Sequence, residues 1–339
     1  MLSAELIKSQ KIVLIEKPVP EPGFGEVRVK LIQVGVCGSD VHFFMGHRLL
    51  DKPTTIGHEG VGIINKVGRG VDASRIGQRV VIEPNIPCGK CLQCQQGKGY
   101  ICTNKRILGL SEPGCFAQFV IVPESFAWSV SEAVSNDDAS AIEPLAVAYH
   151  ALFTSGAKPG DCIAVIGLGA IGLLLARLAV RLGYGVFVTE MNPEKIEFAA
   201  SFGALPTGFS SDYETQVKEL SDVWTANEVC AVFECAGSAV TASLVAASAP
   251  RGSEIVLVGL SEKQANFQPL KIAREGISIL PSIIYHHPFD FKRAIRLVEQ
   301  GVIHPGEIIS KRFSLHKIQQ AMEVASTGVE TKVLIEIPD

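Results

Sequence analysis

The chain has 339 residues, of which 47% are hydrophobic and 19% charged, with a formal net charge of -4. This length and composition exclude a disordered or fibrous protein and predict about two globular domains. No run of Lys or Arg occurs, so nucleic acid and anionic membrane surfaces are not expected partners. No apolar stretch approaches the roughly 20 residues of a membrane span, and the first residues do not resemble a signal peptide. We therefore expect a cytoplasmic protein.

The pattern of apolar residues changes along the chain. Alternating β-branched and polar residues at 26–36 and 60–81 predict short antiparallel strands in a β-rich first domain. The following part alternates predicted strands and helices, which indicates a doubly wound parallel sheet. Its predicted strands are 162–166, 186–189, 229–233, 254–258 and 277–280, and its predicted helices are 170–182, 193–202 and 239–248. The remaining segments no longer repeat this unit and are expected to return to the first domain; they are two helices, 290–300 and 315–325, and a strand, 332–337.

Four cysteines lie close together in the β-rich part. Cys88, Cys91, Cys94 and Cys102 form the pattern C-x2-C-x2-C-x7-C. Clustered cysteines in a reducing compartment more often bind metal than form disulfides, and four thiolates close a tetrahedral zinc site. The alternatives are an iron–sulfur cluster and a chance group of free cysteines. The spacing favours a structural zinc ion.

A glycine-rich turn follows the predicted strand 162–166. Gly167, Gly169 and Gly172 complete G-x-G-x-x-G, with Ala170 and Ile171 at the start of the next predicted helix. This context is typical of a dinucleotide-binding turn, in which the helix N-terminus receives the pyrophosphate. Glu190 ends the next predicted strand and suits the adenosine ribose hydroxyls, and no arginine follows it, so NAD is favoured over NADP. The alternative is a set of glycines that only tighten a turn.

A second candidate metal site lies near the start of the chain. Cys37, His58 and Glu59 are all residue types that bind zinc, and three protein ligands with an open position make a catalytic site. His58 and Glu59 are also compatible with a simple hydrogen-bonded pair.

These motifs together resemble the zinc-containing medium-chain alcohol dehydrogenases. The residues that match the spaced signature of that family are Gly57, His58, Glu59, Gly62, Gly68 and Val71. The resemblance covers essentially the whole chain and implies an α/β protein with a GroES-like β-rich catalytic domain, residues 1–146 and 284–339. A Rossmann NAD-binding domain, residues 147–283, is inserted into it. It also implies two zinc ions per chain, one catalytic and one structural, and NAD as cofactor.

The resemblance extends to individual site residues. Cys37 and His58 would bind the catalytic zinc, with Glu59 as a direct or intermittent ligand. Glu143, within Glu-Pro-Leu, is similar to a glutamate of the sorbitol dehydrogenase branch that reaches the zinc or holds its water. The chain departs from that branch at Ile284, where the branch carries an arginine before a tyrosine.

Three further residues match positions of the family outside the metal ligands. Ser39 resembles the first hydroxyl of a proton relay that His42 completes through the nicotinamide ribose; the alternative is that both are ordinary polar residues at a turn. Lys195 is similar to a family lysine at the adenosine ribose, although an exposed lysine on a helix is usually only solvated.

The sequence therefore predicts a zinc- and NAD-dependent dehydrogenase of a secondary alcohol. A carboxylate in place of a second thiolate suits hydroxyl-rich substrates, so a polyol or sugar-derived hydroxyl is the first choice. L-Threonine and a simple secondary alcohol are alternatives, because residues 113–117 resemble the threonine dehydrogenase branch. A non-catalytic zinc-knuckle binding protein is a remote alternative from another class. By resemblance we expect a homodimer or homotetramer.

Overall fold

The computed structural model describes residues 1–48 and 52–338. Residues 49–51 and 339, which fall in the predicted catalytic domain, lie outside the described residues. The chain forms two compact units, one of Met1–Glu143 with His286–Asp339 and the other of Pro144–Tyr285. The predicted domain boundaries at 146/147 and 283/284 stay a prediction, and the two units are described in turn.

The first unit is rich in short strands, with three helices in its first segment. Its elements up to residue 140 are β1 (Leu2–Lys8), β2 (Lys11–Glu16), β3 (Glu26–Gly35), α1 (Gly38–Met45), β4 (Thr54–Thr55), β5 (Glu59–Val67), β6 (Arg79–Ile82), β7 (Asn85–Ile86), α2 (Leu92–Gln95), β8 (Arg106–Ile107), β9 (Phe119–Pro123), β10 (Ala127–Ser129) and α3 (Asn136–Ser140). Along β3, buried and half-buried residues alternate, as the period of two in a strand with one core-facing side requires.

The second unit alternates helices and strands. After α4 (Ile142–Thr154), which begins two residues before the unit, its elements are β11 (Cys162–Ile166), α5 (Ala170–Arg181), β12 (Gly185–Thr189), α6 (Pro193–Ser201), β13 (Leu205–Pro206), α7 (Tyr213–Ala226), β14 (Val229–Glu234), α8 (Ala239–Ser248), β15 (Glu254–Leu257), α9 (Pro269–Glu275) and β16 (Ser278–Pro281). The six strands pair in parallel in the order β13-β12-β11-β14-β15-β16. This is the Rossmann order, in which ligands bind outside the carboxyl ends of the strands, where the order reverses between β11 and β14.

The chain then supplies the remaining elements of the first unit. They are α10 (Phe289–Glu299), β17 (Lys311–Ser314), α11 (Ile318–Ser326) and β18 (Val333–Glu336). β18 pairs antiparallel with β3, so a strand near residue 335 lies beside one near residue 34. The resulting sheet has the order β10-β6-β5-β3-β18-β17, and β9 also pairs with β3. Two smaller sheets, β2-β1-β4 and β7-β8, contain the other described strands of the first unit.

Each unit has its own apolar core. In the first unit, side chains from the sheet and from α1 and α11 form one buried cluster that includes Leu31, Phe44 and Phe116. In the second unit, the fully buried Trp224 of α7 packs in a cluster with residues of β14 and β15. No helix in the described part of the chain combines the length and the apolar character that crossing a bilayer requires.

The structure differs from the sequence predictions at several elements. Helices α1, over residues 38–45, and α7, over residues 213–226, were not predicted. The segment 60–81 does contain the predicted short antiparallel strands, β5 and β6, with a loop and a short 3-10 helix between them. The helix predicted at 315–325 begins with a 3-10 turn, and α11 proper starts at Ile318.

An ion pair ties α3 to β17 in the first unit. The Arg312 guanidinium donates to both carboxylate oxygens of Asp137, at 2.9 and 2.5 Å, and Gln33 donates to one of them at 3.2 Å. The hydrogen bond from Arg312 lowers the pKa of Asp137. Both charged side chains are about two-fifths exposed, at 41% and 38%, so water screens their attraction.

We expect Arg312→Leu to lower the free energy of unfolding by about 0.5–1 kcal/mol at neutral pH. Because the pKa of Asp137 is lower in the folded chain than in the unfolded chain, the pair stabilises the fold above the unfolded pKa. This contribution is lost as the pH falls through the folded pKa. Urea unfolding of the wild type, Arg312→Leu, Asp137→Asn and the double variant measures the coupling energy of the pair. A coupling energy of zero at neutral pH would contradict the prediction.

Candidate functional site

The first candidate metal ligand, Cys37, lies at the N-terminus of α1. Its backbone N–H donates to Asp40 Oδ2 at 2.9 Å, in the capping arrangement typical of a third helical residue that reaches back. Asp40 is fully buried, and its other oxygen accepts from the backbone N–H of Gly57 at 3.0 Å. One carboxylate therefore fixes the segment of Cys37 against the segment of His58.

The same carboxylate faces the His58 ring, with 3.4 Å between Asp40 Oδ1 and His58 Nδ1. Burial alone would lower the pKa of His58, but the negative charges of Asp40 and Cys37 outweigh burial and raise it well above its usual value. The contact with Nδ1 leaves Nε2 for a metal ion, which is the usual role of a carboxylate behind a ligating histidine.

Glu59 begins β5 and is 1% exposed. The ligand atoms of Cys37, His58 and Glu59 all lie within 4.8 Å of one another. A buried thiol, imidazole and carboxylate at this spacing are a donor set that fits zinc. The structure thus brings together the three candidate ligands that the sequence singled out.

Glu143 lies in the first turn of α4 and is buried, but it is outside this group of three. The negative charge of Glu143 raises the pKa of Lys332, and the charges of Glu59 and Cys37 do the same. Burial alone would lower the pKa of Lys332, but these charges outweigh burial and raise it. Lys332 therefore stays charged near three candidate residues of the metal site, Glu59, Cys37 and Glu143.

The two candidate relay residues lie on α1, in a helix rather than at a turn. Ser39 is half-buried and His42 is exposed, with its ring 5.5 Å from that of His47. Residues three apart on a helix lie on the same side, so Ser39 and His42 share one face of α1.

The four clustered cysteines are held by α2 and the turns around it. Cys91 Sγ lies 3.5 Å from Cys94 Sγ and 3.7 Å from Cys102 Sγ, and all four sulfur atoms are within 4.8 Å of one another. A tetrahedral zinc ion with Zn–S bonds of about 2.3 Å places its sulfur atoms about 3.8 Å apart, so this spacing fits zinc. A hydrogen bond from the backbone of Cys94 lowers the pKa of the Cys91 thiol to about 6, whereas burial and the hydrogen bond to Cys91 raise the pKa of the Cys94 thiol to about 12.

The glycine-rich turn joins β11 to α5 in the second unit. Gly167 has φ +90°, and a Cβ there would lie 2.6 Å from the backbone nitrogen of Ala236. A Cβ on Gly172 would lie 1.9 Å from the carbonyl oxygen of Gly167, whereas a Cβ on Gly169 would meet nothing within 4 Å. The fold itself therefore requires two of the three glycines, and Gly169 leaves an open space at the N-terminus of α5. Ala170 and Ile171 follow it as the first two residues of α5.

Glu190 stands at the end of β12, beside this turn. Its carboxylate accepts backbone N–H groups of Leu168 and Met191 at 2.7 Å and of Asn192 at 3.1 Å. A carboxylate has about four acceptor sites, so capacity remains for a ribose hydroxyl. Lys195 is half-buried in the first turn of α6, where the Asn192 side chain caps the helix.

Ile284 lies just beyond the carboxyl end of β16 and has φ +48°. A β-branched residue rarely adopts this conformation, which costs about 1–2 kcal/mol. Strain of this kind concentrates at functional positions, and Ile284 lies at the carboxyl edge of the parallel sheet, where ligands bind in such folds.

Sequence reasoning missed three residues that organise these sites. Asp40 could have been found, because it stands three residues after Cys37 in the spacing of a capping box. Lys332 gave no signal, because its partner Glu59 is 273 residues away. Glu234 accepts the N–H groups of the loop after β14, through contacts that no local motif predicts.

One exposed glycine of the turn, Gly169, and one buried glycine, Gly172, allow a matched test. Gly172→Ala should lower the melting temperature, because its Cβ collides with the Gly167 carbonyl. Gly169→Ala should leave the melting temperature near wild type but weaken NADH binding by about tenfold or more, because the methyl group occupies the approach of the pyrophosphate. Thermal unfolding and NADH fluorescence titration measure the two effects; unchanged NADH affinity in Gly169→Ala would argue against this binding mode.

Comparison with known families matches both parts of the chain. The family described as alcohol dehydrogenase GroES-like domain matches residues 23–132, and the family described as zinc-binding dehydrogenase matches residues 170–300. The sorbitol dehydrogenase of Halalkalibacterium halodurans is 31% identical over 94% of this chain and 94% of its own length. That of Bacillus subtilis is 29% identical over 96% of this chain and 93% of its own length.

Solved structures match the whole fold. A putative zinc-binding dehydrogenase of Sinorhizobium meliloti, bound to NADP, has a TM-score of 0.92 and 32% identity, and covers 99% of this chain and 98% of its own. Galactitol-1-phosphate dehydrogenase of Escherichia coli has a TM-score of 0.92 and 29% identity over 99% and 100%. A dehydrogenase of the same species in complex with NADH has a TM-score of 0.91 and 29% identity over 99% of both chains. These matches confirm the predicted combination of a GroES-like and a Rossmann domain. The chain therefore belongs to the zinc-containing medium-chain alcohol dehydrogenases, near their sorbitol dehydrogenase branch.

Proposed function

We propose that this protein oxidises a secondary hydroxyl of a polyol or sugar-derived substrate, with zinc at the catalytic site and NAD as the hydride acceptor. The observation that carries the proposal is the convergence of Cys37, His58 and Glu59, whose ligand atoms lie within 4.8 Å of one another in a buried site. The same chain provides the glycine turn of a dinucleotide-binding sheet. A metal site and a cofactor site of these types together support a dehydrogenase.

The catalytic ligands are Cys37, His58 and Glu59, and Glu143 holds a water or reaches the metal from the first turn of α4. Zinc bound there supplies a Lewis acid that polarises the substrate hydroxyl and lowers its pKa. Asp40 acts behind these ligands: it accepts from the backbone of Cys37 and faces the ring of His58, so it keeps both in place.

The proton of the substrate hydroxyl leaves through α1. Ser39 Oγ accepts it and passes its own proton towards His42, which is exposed and releases it to water. NAD held at the glycine turn and Glu190 would supply the acceptor for the hydride of the substrate carbon. The products are a ketone, NADH and one proton, so atoms and charges balance.

The preference for NAD is based on Glu190. Its carboxylate is fixed by three backbone N–H groups and would repel the 2′-phosphate of NADP while accepting ribose hydroxyls. The other cofactor-binding residues we propose are Gly167, Gly169, Ala170, Ile171 and Gly172 at the pyrophosphate, with Lys195 near the adenosine ribose. The similar structures carry NADH in one case and NADP in another, so the choice needs a direct test.

The substrate class is based on the donor set and the relatives. A site with two carboxylates and one thiolate leaves its metal harder than a site with two thiolates, which favours oxygen-rich substrates. Two relatives are sorbitol dehydrogenases, and one similar structure is a galactitol-1-phosphate dehydrogenase. The threonine and simple-alcohol alternatives are not favoured by these relatives.

The remaining parts of the proposal concern organisation. We propose domains of 1–146 with 284–339 and of 147–283, a structural zinc ion at Cys88, Cys91, Cys94 and Cys102, and a homodimer or homotetramer. All nine cysteines are free in the structure, which is compatible with a reducing, cytoplasmic location. Nucleic acid and membranes are not among the proposed partners.

The substrate class is tested by NADH formation with sorbitol, xylitol, galactitol, galactitol 1-phosphate, aldonic acids, L-threonine and simple secondary alcohols. We expect turnover with polyols or sugar-derived compounds, and a kcat/KM at least about tenfold higher with NAD than with NADP. Turnover restricted to L-threonine would overturn the proposed substrate class.

Cys37→Ser tests the metal site. We expect kcat/KM to fall by more than about 100-fold, because loss of residues behind a ligand already costs about 10- to 100-fold. NADH affinity should remain near wild type, and metal analysis should show one zinc ion fewer per chain. Cys230→Ser, at a half-buried cysteine outside both clusters, is the matched control. Wild-type turnover in Cys37→Ser would refute the assignment.

A further inference from the structure

A fully buried carboxylate directly follows strand β6 in the first unit. Glu83 is 0% exposed, and its Oε2 accepts the indole N–H of Trp128 at 2.8 Å. His287 Nδ1 lies 2.8 Å from the same oxygen. The other oxygen, Oε1, is buried without a hydrogen-bond partner among the described residues. A buried carboxylate with an unpaired oxygen costs stability that an apolar side chain would avoid, which makes Glu83 a candidate for a functional role.

The histidine partner of Glu83 lies where the chain returns from the second unit to the first. The second unit ends at Tyr285, and His286 begins the last part of the first unit. Residues 286–288 are called the return segment below. The side chain of His287 is 28% exposed, and its partner Glu83 is 204 positions earlier in the sequence. The hydrogen bond therefore ties the return segment to the end of β6.

Other parts of the first unit fix the same segment. The His287 ring stacks on that of Phe126, with 4.5 Å between the ring centroids and 13° between the ring planes. The His286 ring centroid lies 4.3 Å from that of Tyr100. The backbone N–H of His286 donates to Asp290 Oδ2 at 2.9 Å, in the first turn of α10. The return segment is thus held by several elements of the first unit, together with Glu83.

This anchoring bears on Ile284, two residues before the return segment. Ile284 has φ +48°, a conformation that a β-branched residue rarely adopts. Such a conformation persists only where the surrounding structure fixes the chain. On one side of Ile284, the N–H of Ser282 donates to the Leu257 carbonyl oxygen at 3.0 Å in the sheet. On the other side, the contacts of the return segment fix the chain, so both sides of the strained residue are held.

We propose that Glu83 is a positioning residue, which acts through His287 to hold Ile284 in the conformation that the substrate meets. The inference rests on the proposed dehydrogenase function, and it adds a residue that needs no contact with substrate or cofactor. Without the hydrogen bond, the return segment is less restrained and the strain at Ile284 relaxes. Substrate binding then weakens while the zinc and NAD sites stay intact, because Glu83 and His287 lie outside both cysteine-containing sites and outside the second unit.

The first test is His287→Phe, which removes the hydrogen bond to Glu83 but keeps a ring that can stack on Phe126. We expect faster hydrogen–deuterium exchange of the backbone amides at 283–287. KM should rise about tenfold, the effect of losing a hydrogen bond to a charged group. KM is measured with whichever of sorbitol, xylitol and galactitol 1-phosphate the wild type oxidises fastest. The change in kcat should be smaller than that in KM, and NADH affinity and zinc content should match wild type.

Two further variants show whether the hydrogen bond itself is responsible. His287→Gln has an amide N–H that can donate to the carboxylate, so it should restore amide exchange and KM towards wild type. His304→Phe is the matched control, because His304 Nδ1 lies 3.1 Å from Asp138 Oδ2 of α3 in the same unit. It also removes a contact between a histidine and a carboxylate, but outside the return segment. Amide exchange at 283–287 and KM should therefore match wild type in His304→Phe.

A second background tests whether His287 acts together with Glu83. Glu83→Gln keeps the size of the side chain but removes its charge, so it should raise KM in the same direction as His287→Phe. Adding His287→Phe to Glu83→Gln should then change KM less than it does in the wild-type background, because the two residues share one interaction. The melting temperature of each variant is measured in parallel. A lower melting temperature with a wild-type KM would indicate a purely structural contact and overturn the inference.

The outcomes separate the inference from the proposed function. If the wild type oxidises one of these substrates and His287→Phe leaves either the exchange at 283–287 or KM unchanged, the inference alone is overturned. Equal effects of His287→Phe in the wild-type and Glu83→Gln backgrounds also overturn it, because His287 would then not act with Glu83. A wild type that oxidises none of the polyols or sugar-derived compounds overturns the proposed function, and the inference with it.

Discussion

The buried carboxylate of Asp40 is the interaction on which the metal chemistry of this fold depends. It caps α1 by accepting from Cys37, accepts from Gly57, and faces His58. Burial alone would raise the pKa of Asp40, but the charge of His58 and the hydrogen bonds to it outweigh burial and lower the pKa. The carboxylate therefore stays ionised, and a helix and a strand that are separate in sequence are held as one unit at the site.

The two cysteine-containing sites achieve their geometry in different ways. The group of four cysteines lies within fifteen residues, so α2 and its flanking turns bring the sulfur atoms together without help from distant strands. The site of Cys37, His58 and Glu59 instead depends on the register of β3, β5 and β18, and on the small volume of Gly35. The first group therefore depends on one loop, and the second depends on the pairing of strands that are distant in the sequence.

This difference explains what the sequence could predict. The cysteine cluster, the glycine turn and the strands β11 and β14 depend on local patterns, and the predicted residues lie there in the structure. Helix α7 was missed because it is polar overall, and only Gln216, Leu220 and Trp224 are buried, at intervals of four. α1 was missed because it is only eight residues long, and its one local signal, Asp40 three residues after Cys37, was not recognised as a capping box. The pairing of Lys332 with Glu59 follows from strand order, which no local pattern specifies.

The same separation has a consequence for synthesis of the chain on the ribosome. Lys332 is 273 residues downstream of Glu59, so at about 5–20 residues per second it emerges about 14–55 s later. During that interval the thiol, imidazole and carboxylate of the metal site are already outside the ribosome without their buried counter-charge. A metal ion captured by the nascent chain would therefore meet a more negative set of ligands than the finished protein presents, until Lys332 adds its positive charge.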